Sequence, residues 1–280
     1  MQQFSVLISI YNKENPSYFE LAMSSIWDEQ SVKPTEIILV KDGKLTPELD
    51  DVIARWEEKL GDCLKVICLL ENIGLTKALN KGLKQCSFDL IARMDSDDIS
   101  LPQRFERQLS KFSKTPNLTV LGGFAQEIDL SGDKGNVRKM PISHQAIFDN
   151  LFVCPFIHPS IMFRKSSIQS IGSYNESLIR RQDYDLWFRC GEAGFIFENI
   201  SEPLLLYRFS ENTHQRQSTK LAFQQALIGY KGVRLLHQPF WKACVCFTPF
   251  IRSLLPGRMQ HFLYKVAKKF DPRQKERKGL

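Results

Sequence analysis

The stretch "GLTKALNKGLKQCSFDLIARMDSDD", residues 74–98, decides the fold. Its first half places Leu75, Ala78, Leu79 and Leu83 at three- and four-residue spacing, the period of one helix face. Its second half, "FDLIARM" at 88–94, is a short aliphatic run of the kind found in strands covered on both sides. Three carboxylates then fall within four positions, Asp95, Asp97 and Asp98. Their repulsion costs free energy unless a cation, a helix N-terminus or open water takes up the charge.

The same alternation extends back to the start of the chain. "FSVLISI" (4–10), "TEIILV" (35–40) and "LKVICLL" (64–70) read as strands, and "SYFELAMSSIWDEQ" (17–30) and "TPELDDVIARWEEKLG" (46–61) as helices. Thr46 and Pro47 supply a cap and a first turn for the second helix. This repetition predicts an α/β fold with a mostly parallel central sheet and right-handed crossovers, whose ligands lie beyond the carboxyl ends of the strands. After residue 118 the pattern changes: "LTVLGGFAQEIDLSGDKGNVRKMP" (118–141) reads as a strand and hairpin, and "IHPSIMFRK" (157–165) as another strand. The expected organisation is one unit over 1–237, with halves 1–117 and 118–237, followed by a C-terminal helical segment over 238–280.

With 280 residues, 43% hydrophobic and 25% charged, the chain can bury a substantial core and is not of disordered composition. Its seven cysteines lack paired Cys-x-x-Cys spacing, which predicts reduced thiols and a cytoplasmic setting. "MQQFSVLISIYNKEN" runs straight into a strand, so no secretory leader is expected, and no apolar run reaches the roughly 18 residues of a spanning helix. The net charge of +7 gathers after Gly257, behind the aromatic, apolar "PFWKACVCFTPFIRSLLP" (239–256). That combination suits the surface of an anionic membrane better than nucleic acid. A packed helix pair with a solvated tail is the plainer alternative.

Four loops leave the predicted strand ends: "SIYNKEN" (9–15), "VKDGK" (40–44), "LENIGL" (70–75) and "MDSDD" (94–98). Tyr11 could stack on a planar base, Asp42 could accept hydrogen bonds from a base or sugar, and the turn from Asn72 to Gly74 allows close backbone approach. The ordinary readings are a core-edge tyrosine, a tight turn and the opening of a helix. The aspartates offer hard oxygen ligands for Mg²⁺ or Mn²⁺, which use one or two carboxylates together with substrate phosphates. Asp98 or Ser100 could instead cap a helix beginning near Leu101 and Pro102. His158 is either structural or acceptor-facing, Trp187 and Phe188 belong to a helix core, and Arg164 and Lys165 meet either an acceptor diphosphate or water.

In order, "YN", "KDG", "NIGLTKALNKG", "RMDSDD" and "RRQDYDLWFR" resemble the family 2 glycosyltransferases, inverting enzymes of the GT-A fold, over roughly residues 4–210. "ARMDSDDI" and "FIHPSIMFRK" are most similar to the branch that builds bacterial surface polysaccharides, including O-antigen. The resemblance implies that 1–117 is the nucleotide-sugar half and 118–237 the acceptor half. Tyr11, Asn12, Asp42 and Asn72 would hold the nucleotide, Asp95 the ribose, and Asp97 with Asp95 the Mn²⁺ or Mg²⁺ that meets the diphosphate. Asp183 would be the catalytic base, with Gln182 standing where a glutamate is common. Leu79 replaces a frequent arginine, leaving Lys77 or Arg93 to supply positive charge. Arg181 and His158 would line the acceptor side. "YRFSENTHQR" (207–216) keeps Tyr207 and Arg208 of a Tyr-Arg-x-His element but lacks its histidine, so His214 is only a loose candidate.

These residue types suit glycosyl transfer. Breaking the bond from the anomeric carbon to phosphate leaves negative charge on a diphosphate, which a divalent ion stabilises. The attacking acceptor hydroxyl must lose a proton to a carboxylate in reach. The implied reaction moves glucose or galactose from its UDP form to N-acetylhexosamine-diphosphate-undecaprenol, as a β-1,3 linkage, at the cytoplasmic face of the bacterial inner membrane. A sugar-phosphate nucleotidyltransferase would need a Gly-rich basic loop after the first strand, and "SIYNKEN" has none. A non-catalytic membrane-associated binding protein would use the aspartates for charge alone.

Overall fold

The structure, a computed structural model, describes residues 2–209 and 218–255. Strands β1 (Phe4–Ile10), β2 (Glu36–Lys41), β3 (Leu64–Cys68) and β4 (Leu90–Met94) pair in parallel in the order β3-β2-β1-β4. Helices α1 (Pro16–Ile26), α2 (Pro47–Leu60) and α3 (Leu75–Gln85) make the crossovers. The expected cap forms, with Thr46 Oγ1 accepting the Leu49 amide.

Period-two alternation divides the core. Val6, Ile8, Ile37 and Leu39 pack with Phe19, Met23, Leu49, Ile53 and Trp56 on one face of the sheet. Leu7, Ile38, Val40 and Ile91 pack with Ala78, Leu79 and Leu83 of α3 on the other. Fully burying each such side chain contributes about 1.5–3 kcal/mol, which is why β1, β2 and β4 carry apolar side chains on both faces, whereas the edge strand β3 exposes Lys65 and Cys68.

The second half extends the same sheet. After β5 (Ile99–Ser100) and α4 (Arg104–Lys114) come β6 (Leu118–Ile128), β7 (Lys134–Arg138), α5 (His144–Asp149), β8 (Met162–Arg164), α6 (Lys165–Ser170), α7 (Gln182–Glu192) and β9 (Ile196–Arg208). The order continues β4-β8-β6-β9-β5, with β7 beside β6. β8 is antiparallel to β4 and β6, while β6 and β9 are parallel. Of the strand expected at 157–165, only Met162–Arg164 forms, because residues 158–160 close a tight 3-10 turn. The chain then passes through α8 (Thr219–Leu235), α9 (Phe240–Val245) and α10 (Thr248–Ser253). His214 and the basic residues from Arg258 onward lie outside the described residues.

None of the seven cysteines is bonded to another. Among the described residues, no helix is long and apolar enough to cross a membrane.

Candidate active site

Because β1, β2, β3 and β4 are parallel, their carboxyl ends deliver the loops to one edge. The Asp42 amide donates to the Ile10 carbonyl (2.8 Å) and the Leu69 amide to the Lys41 carbonyl (3.0 Å), tying three loop starts together. Asp42 is buried, and its carboxylate accepts the Ile73 and Gly74 amides at 2.8 and 3.0 Å. It therefore shapes the 72–74 turn from beneath the same edge. Gly43 makes this contact possible: its φ is +86° and a Cβ there would sit 2.6 Å from the Asn72 nitrogen. Tyr11, Asn12, Asn72 and Lys77 are exposed along the same edge.

The acidic turn follows β4. Asp95, Asp97 and Asp98 each present an oxygen within 4.8 Å of the others. Burial, followed by the Asp95 charge, pushes the Asp97 carboxyl up to about 6. The same two causes raise Asp98 well above the usual carboxylate range. Glu14, from the β1–α1 loop, is a fourth member unforeseen in the sequence; burial, Asp97 and Asp95 raise it to about 7. Asp98 Oδ2 is buried without a hydrogen-bond partner. An all-oxygen, charge-crowded donor set with an orphaned carboxylate oxygen fits Mg²⁺ or Mn²⁺.

Arg208 pins this turn from β9. Its amide donates to Asp98 Oδ1 (2.8 Å), its Nε to the Asp97 carbonyl (2.9 Å) and its Nη1 to the Asp129 carbonyl (3.1 Å). The guanidinium also lies 3.8 Å from the centre of the Tyr18 ring. Asp98 and Ser100 thus do not cap α4: Ser100 donates its amide to Ser25 Oγ, and the α4 cap position, Gln103, makes no side-chain cap bond.

Arg93 departs from its expected place beside the diphosphate. Residues two apart on a strand share a face, so its guanidinium, 2% exposed, forms an ion pair with Asp95 and reaches the site only through that carboxylate. Arg164 and Lys165 are likewise remote. Arg164 pairs in register with Leu90, at the opposite end of β4 from Asp95, and donates to the Leu118 and Pro116 carbonyls, while Lys165 donates to the Cys86 carbonyl.

In the second half of the chain, Asp183 lies in the first turn of α7, partly exposed, with Cys154 Sγ 3.8 Å from its Oδ2. Arg181 occupies the position before α7 with φ +65° and is exposed. Asp185 points away and takes Arg189 Nε at 2.8 Å, and Trp187 and Phe188 are buried, as expected. His158 is buried, its Nε2 2.8 Å from the hydroxyl of the equally buried Tyr174, so it holds a core position rather than an exposed one. Burial, and then Arg93, hold its imidazole far below the usual histidine range, hence neutral. Burial raises the Tyr174 hydroxyl most; Arg93 acts against it, and Asp183, Cys190 and Asp95 add to it.

Known proteins resemble the chain at two levels. The family profile described as "Glycosyl transferase family 2" matches residues 5–187. The chain is 34% identical over 272 residues to the Escherichia coli UDP-Gal:alpha-D-GlcNAc-diphosphoundecaprenol beta-1,3-galactosyltransferase, covering 96% of this chain and 98% of that one. It is also 34% identical over 271 residues to the amylovoran biosynthesis glycosyltransferase AmsE of Erwinia amylovora, covering 95% and 99%. In fold it is similar to S. aureus TarS 1-349 in complex with UDP-GlcNAc, with a TM-score of 0.67 at 18% identity over 98% of this chain and 76% of that one. The Pyrobaculum calidifontis mannosyltransferase PcManGT in complex with GDP-Man and Mn²⁺ gives 0.62 at 14% identity over 96% and 80%. The fold is thus GT-A-like, and the sequence match over more than half its length makes this chain a member of glycosyl transferase family 2.

Proposed function

We propose that the protein is an inverting hexosyltransferase of surface-polysaccharide biosynthesis. It moves galactose or glucose from its UDP form to N-acetylhexosamine-diphosphate-undecaprenol, as a β-1,3 linkage, at the cytoplasmic face of the inner membrane. The similarity to the E. coli galactosyltransferase carries this reading, because it runs through the C-terminal helices as well as the nucleotide edge.

Tyr11, Asn12 and Asn72 bind the uridine on the surface that Asp42 braces, and Lys77 offers charge to the diphosphate. Asp97 and Asp95 would hold Mn²⁺ or Mg²⁺, which neutralises charge on the departing UDP. Arg93 steadies Asp95 from within the core. Asp183 accepts the proton of the attacking acceptor hydroxyl. Attack on the face opposite the diphosphate turns an α-linked donor into a β-linked product. Tyr174 and His158 fix the wall between the two carboxylate groups, and Arg181 faces the acceptor diphosphate.

Purified protein, a panel of UDP-sugars and a synthetic GlcNAc-diphosphate-lipid, with and without Mn²⁺, test the reading. Turnover with UDP-Gal or UDP-Glc, dependent on the metal, is expected. Turnover of none of them overturns it.

A further inference from the structure

We infer that α8, α9 and α10 form a plate that docks on an anionic bilayer, with its outward side fixed relative to Asp183. Among the described residues, fifteen large hydrophobic side chains are exposed, and eight of them lie between Phe223 and Leu254. On α9, Phe240, Trp241, Cys244 and Val245 are exposed, whereas Lys242, Ala243 and Cys246 are buried. At about 100° per residue the exposed set covers one continuous face and the buried set the other. Ile251 and Leu254 add a second apolar pair, 57% and 62% exposed, on the turn of α10 and just beyond it.

The charge pattern selects the occupant. Residues 212–270 contain ten lysines and arginines and no aspartate or glutamate. Lys220, Lys231 and Arg234 are exposed on α8. Apolar and aromatic side chains accompanied by cations alone match the boundary of a bilayer carrying anionic headgroups.

The plate is joined rigidly to the helix that carries the candidate base. Gly232 of α8 lies so close to α7 that a Cβ there would be 2.2 Å from the Phe188 ring, and one at Gly229 would be 2.5 Å from the Tyr184 hydroxyl. Tyr184, next to Asp183, donates to the Phe152 carbonyl at 2.6 Å and lies 3.7 Å from Cys246 Sγ. Docking this plate therefore holds Asp183 at a set height above the membrane. That serves an acceptor whose lipid is embedded there, and to this extent the inference rests on the proposed function.

The test is vesicle flotation with the full chain. Phosphatidylcholine vesicles containing about one-third phosphatidylglycerol should carry the protein, phosphatidylcholine alone should not, and about 0.5 M salt should release it. Trp241 fluorescence should shift to the blue on binding. The triple variant Phe240→Ser/Ile251→Ser/Leu254→Ser should lose about tenfold or more in vesicle binding. It should keep wild-type turnover of a water-soluble acceptor bearing a short alkyl chain in place of the polyprenol. Wild-type protein that stays off anionic vesicles, or a triple variant that still floats, overturns the inference. So does light scattering that shows a wild-type dimer, a monomeric variant and no vesicle binding, which would make the plate a self-association face. Vesicle binding without turnover of either acceptor would instead refute the transferase reading and leave the plate standing.

Discussion

The Asn80 side chain pins Tyr174 by both of its backbone groups: Asn80 Oδ1 accepts the Tyr174 amide at 3.0 Å, and Asn80 Nδ2 donates to the Tyr174 carbonyl at 2.8 Å. One buried amide on α3, in the parallel half of the sheet, thereby fixes the segment that leads to Asp183. Nδ2 also reaches Glu176 Oε1 at 3.0 Å, and Thr76 holds the Leu178 carbonyl at 2.7 Å. Asn80→Ala leaves both backbone groups of Tyr174 without that partner, a loss of about 2–4 kcal/mol. Urea unfolding should register it, with a fall in kcat exceeding the change in KM for the UDP-sugar. A loss below about 0.5 kcal/mol would show that the clamp is dispensable.

Asp183→Asn removes the proton acceptor and preserves the size of the side chain. Turnover should fall about 10²- to 10⁴-fold while UDP binding, read by calorimetry, stays at the wild-type value. Wild-type turnover in this variant would exclude Asp183 as the base.

Arg208 lends itself to a similar separation. Arg208→Lys keeps the charge and the backbone bond to Asp98 but cannot reproduce the fork that reaches both the Asp97 and Asp129 carbonyls. The acidic turn should loosen, and the Mn²⁺ concentration giving half-maximal activity should rise about tenfold at unchanged thermal stability within about 1 kcal/mol. An unaltered metal dependence would mean that the turn holds its shape without this anchor.

The parallel half of the sheet was legible because strands covered on both faces are dominated by apolar side chains, and β1, β2 and β4 are so except at Ser5, Ser9, Glu36, Lys41 and Arg93. β9 was not. Its "IFENISEPLLLYR" mixes buried and exposed positions around Pro203, and its partners at β5 and β6 are set by distant pairing. The site divided in the same way. The aspartates and Asp183 stand in compact local patterns, whereas the clamp from Asn80 to Tyr174 spans 94 positions and the bond from Arg208 to Asp98 spans 110. Glu14 carried no local signal beyond its place in the first loop. Arg93 was misplaced because a cation beside aspartates looks the same in sequence whether it faces a ligand or the core.

The acidic turn should make stability depend on pH in a direction that metal reverses. Asp97 rises from 3.8 to about 6 in the folded protein, so its proton is held more tightly there than in the unfolded chain. The folded state is then free of penalty below the unfolded value and acquires one as pH climbs through about 6. In metal-free protein, Asp97→Asn should be more stable than wild type at pH 7.5 by about 1–3 kcal/mol, the figure allowing for the residue's partial contact with solvent. The difference should vanish toward about pH 2.5, well below the unfolded 3.8, where Asp97 is protonated in both states and the other carboxylates titrate alike in the two proteins. Adding Mn²⁺ at pH 7.5 should stabilise wild type and do so less for Asp97→Asn, since a bound cation favours the ionised form. Thermal melts at the two pH values, with and without Mn²⁺, measure all of these differences. A wild type that outlasts Asp97→Asn at pH 7.5 without metal would mean that some other group already compensates the Asp97 charge.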